Sequence, residues 1–229
     1  MNRPAWRAPL SPRLILFCVF LWAGAAGADD GYPQGASTLL ELGRYSTHFT
    51  YPDGLHKAHM GRYGIGYYEP VSDVVTLFLQ GGYATLDVDN DPVASGQSYA
   101  GRYLGVGAHW ETYENDRLNL AAEMSYTWHG VSGAMLNQRS DLSWYETYSA
   151  IGPVLRFDRW RFYAGGYYQR LEGEETDQGS VNQHRNLGVD RGGGGYLGIV
   201  WYMDQTGSVG IYATSGTRQG VRLVFKRDF

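Results

Sequence analysis

Hydrophobic and polar residues alternate one for one along most of this chain. The clearest run places Leu118, Leu120, Ala122, Met124, Tyr126 and Trp128 on one face. Asn119, Ala121, Glu123, Ser125, Thr127 and His129 form the other. A period of two is that of a β-strand with unlike faces. The pattern recurs: Val75, Leu77, Leu79, Gly81 and Tyr83 stand against Thr76, Phe78, Gln80 and Gly82. Leu104, Val106, Ala108 and Trp110 stand against Tyr103, Gly105, Gly107 and His109, and Trp160, Phe162, Ala164, Gly166 and Tyr168 against Arg161, Tyr163, Gly165, Tyr167 and Gln169. Together these runs predict strands at about 38–50, 57–68, 74–86, 99–113, 118–130, 144–157, 160–171, 193–203, 208–215 and 219–229. In the first, Leu40 and Leu42 face away from Glu41 and Gly43, but Arg44 interrupts the apolar face.

The clear runs match the length a tilted membrane strand needs, about 9–11 residues. The more apolar face is assigned to lipid, and the small and polar residues to a narrow lumen. The connections fall into two interleaved classes. Glu69–Asp73, Glu114–Arg117, Asp158–Arg159 and Asp204–Gly207 are short; Asp87–Ser98, Val131–Ser143 and Glu172–Gly192 are longer, polar and Gly-rich. Transmembrane barrels have short periplasmic turns and longer external loops. Backbone groups at membrane depth must all be paired, so the sheet has to close and the last strand must pair with the first. The expectation is therefore an all-β, closed, antiparallel up-and-down transmembrane β-barrel of ten strands, eight being the alternative count. Tyr67, Tyr68, Trp110, Trp128, Trp144, Tyr145, Trp160, Trp201 and Tyr202 near strand ends are candidates for interfacial girdles. Pro153, inside the sixth strand, must cost a ladder bond or mark a bulge.

Residues 1–28 read differently. Arg3, Arg7 and Arg13 precede the apolar run Leu14–Trp22, and Ala26-Gly27-Ala28 gives a small-x-small cleavage site, so Met1–Ala28 is expected to be a cleaved signal peptide and residues 29–229 the barrel domain. The run is shorter than the roughly 20 residues a membrane helix needs. The only cysteine, Cys18, leaves with it. Without this segment Lys plus Arg falls from 19 to 16 against 23 acids, a net charge of −7. Such a balance argues against nucleic acid as a partner. The 32 Gly and 19 Tyr argue against a helical domain and for pleated surfaces.

The final segment carries the address. Val221, Leu223, Phe225, Arg227 and Phe229 make one face, mostly apolar, and Arg222, Val224, Lys226 and Asp228 make the other. A closing strand of this kind, ending on an aromatic, resembles that of small bacterial outer-membrane β-barrels of the OmpA-like and OmpX-like class. The resemblance implies a Gram-negative outer-membrane location and outer-membrane lipid as surroundings. It further implies that the barrel-insertion machinery reads Val221, Leu223, Phe225 and Phe229 as an assembly signal. It brings no functional motif.

Candidate chemistry is sparse. A lipid A deacylase-like His-x-Ser does not occur: Thr50 stands two after His48, and Ser132 three after His129. Asp87, Asp89, Asp91, His129 and Asp141 near the expected rim match no omptin-like spacing. His48, His56, His59, His129 and His184 map to the external end without a shared ligand spacing, so neither a metal nor another cofactor is expected. The inward faces instead gather Gln80, His109, Glu111, Glu123, Glu146, Arg156, Arg161 and Gln169. Buried charges must be paired, so Glu123 and Glu146 are expected to pair with Arg102, Arg156 or Arg161. The function expected is a non-catalytic structural or surface-interaction barrel with a largely plugged polar lumen and an unidentified surface ligand. A narrow porin-like channel is the alternative, and a rim enzyme acting on lipid or peptide a weaker one.

Overall fold

The computed structural model describes residues 35–89, 97–112, 117–135 and 137–229. The expected signal peptide, Met1–Ala28, and the middle of the Asp87–Ser98 connection lie outside them. Ten strands follow in order: β1 (Ser37–Tyr51), β2 (Gly54–Pro70), β3 (Val75–Val88), β4 (Ser98–Glu111), β5 (Leu118–Met135), β6 (Gln138–Phe157), β7 (Trp160–Gly179), β8 (Gln183–Tyr202), β9 (Gly207–Gly216) and β10 (Gln219–Asp228). Each pairs antiparallel with its sequence neighbour, and β10 returns to β1 from Ser37↔Asp228 to Ser46↔Gln219, closing the sheet. Along the β1–β10 seam, between Ser37 and Ser46, the ladder closes without an open edge, as lipid requires.

Sidedness follows the alternation. Leu79, Leu104, Met124, Ile151, Phe162, Leu197, Ile211 and Phe225 face outward and are exposed on the bare barrel, as a lipid-facing band must be. Val221 on β10 and Phe229 just after it are also exposed, with Leu223 on the face of Val221 by register, while Val224 is buried inside. On β1 the outward face is Leu40, Leu42 and then Arg44. Parity corrects part of the aromatic assignment. Tyr67, Trp128, Tyr145, Trp160 and Trp201 are outward, but Tyr68, Trp144 and Tyr202 turn into the barrel because each adjoins an outward aromatic on the same strand.

Two expected loops are strands. Val131–Ser143 forms the upper β5–β6 hairpin, paired up to Met135↔Gln138, and Glu172–Gly192 forms that of β7–β8, paired up to Asp177↔Gln183. Their polar, Gly-rich composition resembles a loop, yet period two persists: Ser140, Leu142 and Trp144 point inward, as do Glu175 and Asp177. A strand of 20 residues, such as β6, β7 or β8, is about 66 Å long. Tilted by about 40°, it rises well beyond the apolar band of about 25 Å. Four strands therefore stand above the membrane as a palisade.

The β9–β10 hairpin is short. Above its tip β1 meets β8 directly, at Thr50↔Gly188. The ring thus has ten strands below that tip and eight above it. A β-bulge interrupts the β7–β8 register between Leu171 and Gly173, beside this junction. At Pro153 the β6–β7 ladder lacks its pairs between Ile151↔Gly166 and Val154↔Tyr163, but the register resumes unchanged, so the cost is ladder bonds and not a bulge. Gly64 is required by close approach: a Cβ there would lie 1.8 Å from the Tyr103 hydroxyl, which crosses bare backbone.

Candidate functional site

The short turns and both ends of the described barrel share one end, the periplasmic one in barrels of this type, and the palisade rises at the other. Three layers fill the lumen. The upper one is apolar. Phe49, Leu86, Tyr99, Val131, Leu142, Trp144, Leu171 and Leu187 are all buried. Trp144 stacks on His129 with ring centroids 4.4 Å apart and planes 2° from parallel, and meets the Phe49 edge at 5.5 Å. His129 is fully buried, and neither ring nitrogen has a hydrogen-bond partner. Toward the outside the layer is capped by ion pairs: Arg185 holds Glu175 at 3.0 Å and Asp177 at 3.5 Å, while the Tyr99 hydroxyl donates to Glu175 at 3.1 Å.

Below it lies a belt of charge. Arg218 donates to Glu146 at 2.6 Å and stacks 3.7 Å over Tyr45. Arg62 bridges the two acids of the belt, 3.6 Å from Glu41 and 4.0 Å from Glu146, with its guanidinium 4.3 Å over Tyr103. Arg222 approaches Glu41 at 3.6 Å. Tyr167 accepts from the Arg218 backbone N–H at 2.8 Å, fixing the hairpin tip to β7, two strands away. Three guanidiniums thus share two carboxylates. Low local dielectric makes such pairs strong when made and costly when broken.

The third layer is a cavity of about 240 Å³ in the lower barrel, lined among others by Tyr68, Gln80, Glu123, Arg161, Tyr212 and Arg222. Above it a separate void of about 10 Å³ lies beside Glu146 and Arg218. At its lower rim Glu111 gathers Arg156 at 2.7 Å, His109 at 3.6 Å and Arg161 at 3.9 Å.

Most of the residues singled out from the sequence come together here. Glu146 lies in the belt, although its partners are Arg218 and Arg62. Arg156 and Arg161 hold Glu111 instead of Glu123 or Glu146. Glu123 meets His109 at 4.0 Å, and Gln80 lines the cavity. Gln169 is buried and donates to Thr47 Oγ1 at 3.2 Å. Arg102 does not join: it shares the parity of Leu104 and Val106 and is exposed on the outer face, so the expected pairing with the lumen acids is corrected. Sequence reasoning missed Arg62 and Arg218. Arg62 was legible, since Tyr63, Ile65 and Tyr67 form the outward face of β2. Arg218 lies between β9 and β10, where periodicity is silent. Among the described residues no group of three or more His, Cys, Asp or Glu is arranged to hold a metal ion.

No protein-family model and no curated protein matches the chain. Solved structures do. The translocator domain of autotransporter NalP from Neisseria meningitidis superposes with a TM-score of 0.51 at 10% identity, over 95% of this chain and 94% of that one. The outer membrane protease OmpT from Escherichia coli gives 0.48 at 9% identity, over 88% and 99%. Neisserial surface protein A gives 0.44 at 11%, over 85% and 97%. The NalP likeness establishes an outer-membrane-type transmembrane β-barrel fold.

Proposed function

We propose that the chain is a closed, non-conducting barrel of the bacterial outer membrane, inserted through its C-terminal strand, that presents the β5–β8 palisade as a contact surface outside. One observation carries this reading: the buried layer around Trp144 and His129, braced by the charge belt beneath it, crosses the lumen above the cavity. A barrel of eight strands is one whose side chains just fill the bore. In the belt Arg62 and Arg218 are engaged by buried carboxylates, which supports a structural role over a catalytic one. Planar-bilayer recording of the purified protein is the test. A silent bilayer is expected, and discrete conductance steps would overturn the reading. The small void beside Glu146 and Arg218 favours a second reading, a narrow pore opened by rearrangement of the plug. Voltage-dependent steps from the same preparation would select it.

A further inference from the structure

We propose that the lower cavity is a binding site for a small oxyanion-bearing solute, a carboxylate or a phosphate, reached from the periplasmic side. The inference takes its side of access from the closed-barrel reading above. Five cations, Arg62, Arg161, Arg218, Arg222 and Lys226, line the cavity against three carboxylates, Glu111, Glu123 and Glu146. Lys226 is neutralised by Asp228 at 2.9 Å, and Arg62 and Arg218 are spent in the buried belt. Two guanidiniums remain, Arg161 on β7 and Arg222 on β10.

Their surroundings point the positive charge into the cavity. The carboxylates that hold them, Glu111 for Arg161 and Glu41 for Arg222, are each shared with a second arginine and only 4% exposed, whereas Arg161 and Arg222 are 23% and 29% exposed. The acids stand behind and the cations face the water. Each contact is also long, 3.9 and 3.6 Å, where a charge-assisted hydrogen bond would lie at about 2.7–2.9 Å. Arg161 has a further side-chain hydrogen bond, to Tyr163, yet a guanidinium carries five N–H donors, more than that hydroxyl and half of one shared carboxylate can accept. Both are held in place by rings: Arg161 lies 4.7 Å over Tyr202 and Arg222 lies 4.8 Å over Tyr212. Pre-positioned, under-satisfied guanidiniums on one wall, among tyrosine hydroxyls, are what bidentate recognition of an oxyanion needs. Glu123 is the opposing element. It also lines the cavity, its contact is His109 at 4.0 Å, and it is electrostatically coupled to Arg222. It repels the same anion and sets a ceiling on affinity.

The experiment is titration calorimetry on the refolded mature barrel in a zwitterionic detergent, with inorganic phosphate, benzoate and tetramethylammonium as probes. One or both anions should bind saturably and tetramethylammonium should not. Arg161→Gln should weaken anion binding about tenfold or more, the loss of one hydrogen bond to a charged group. Glu123→Gln should strengthen it. The Glu123 variant serves where the arginine variant fails to fold, circular dichroism reporting the fold. Absence of binding by either anion, preference for tetramethylammonium, or weaker anion binding in Glu123→Gln each overturns the site. Because the barrel in detergent is open to solution at both ends, these results are independent of conductance. Steps in the bilayer with anion binding intact would sink the closed-barrel reading alone, and a silent bilayer without binding would sink the site alone.

Discussion

Replacing Glu146 by Gln tests the charge belt most sharply. In the folded barrel Glu146 accepts from Arg218 at 2.6 Å and lies 4.0 Å from Arg62, both cations being nearly inaccessible to water. The substitution keeps size and removes one negative charge, leaving Arg62, Arg218 and Arg222 with Glu41 alone. Two unit charges about 4 Å apart interact by about 4 kcal/mol at an effective dielectric constant of about 20. Measured costs of removing one partner of a buried pair are about 3–5 kcal/mol. Glu146→Gln should therefore destabilise by about 3–5 kcal/mol. Arg218→Met goes the other way in charge, since two guanidiniums then face two carboxylates and Glu146 falls back on Arg62. Its cost should be that of a hydrogen bond to a charged group, about 1.5–3 kcal/mol. The double variant should cost less than the sum, the residues being in contact. Equilibrium urea unfolding of the barrel in phospholipid vesicles, followed by tryptophan fluorescence, measures all three. An Arg218→Met cost equal to or above that of Glu146→Gln, or a Glu146→Gln cost below about 1 kcal/mol, would refute the surplus-cation account.

Two further expectations concern the periplasmic turn and the lipid face. Asp204 Oδ1 accepts from the backbone N–H of Gly207 at 2.7 Å and of Thr206 at 2.8 Å, which holds its carboxyl down at about 2 against an ordinary 3.8. A depressed folded pKa means that the contribution is complete above the unfolded value and lost as pH falls through the folded one. The stability gap between the parent protein and Asp204→Ala should then be constant from neutral pH to about 5 and close towards pH 2, and a gap that persists at pH 2 would contradict the turn assignment. Leu197 faces lipid near the middle of the part of β8 that pairs with β9, Gly194–Tyr202, and Leu197→Arg should cost about 2–4 kcal/mol in vesicles. At Leu55, beside the external β1–β2 turn, the same change should cost about 0–1 kcal/mol, and equal costs would displace the membrane band.

Sidedness was the most legible property, because a residue's neighbours two positions away decide it. Leu118–His129 shows the alternation without interruption, and β5 follows it. Where two aromatics adjoin, as at Tyr67–Tyr68 or Trp144–Tyr145, composition suggested an interfacial girdle while parity sends one ring inward. Trp144 became the centre of the plug for that reason. Strand length was less legible. Glu175 and Asp177 look like loop residues one at a time, and Arg185, which pairs with both from the neighbouring strand β8, makes them a buried strand face. Contacts of this kind join residues on different strands, and no local pattern holds them. The same applies to Glu41 with Arg62 and Arg222: each is visible as an inward charge, but who pairs with whom is set by register and shear.

The meeting of β1 with β8 at Thr50 and Gly188 has a consequence for the bore. A barrel's diameter grows roughly in proportion to its strand number. Dropping from ten strands to eight as the wall passes the tip of the β9–β10 hairpin therefore cuts the cross-section by about a third. The interior is a funnel, wide at the periplasmic mouth and narrow outward. One geometric step accounts for both halves of the lumen: eight strands bring the side chains of Phe49, His129 and Trp144 into contact, while ten hold the walls too far apart to meet and leave a chamber. The hairpin thus acts as a gusset let into an eight-stranded tube, and its length, more than the identity of any lining residue, sets the depth of that chamber.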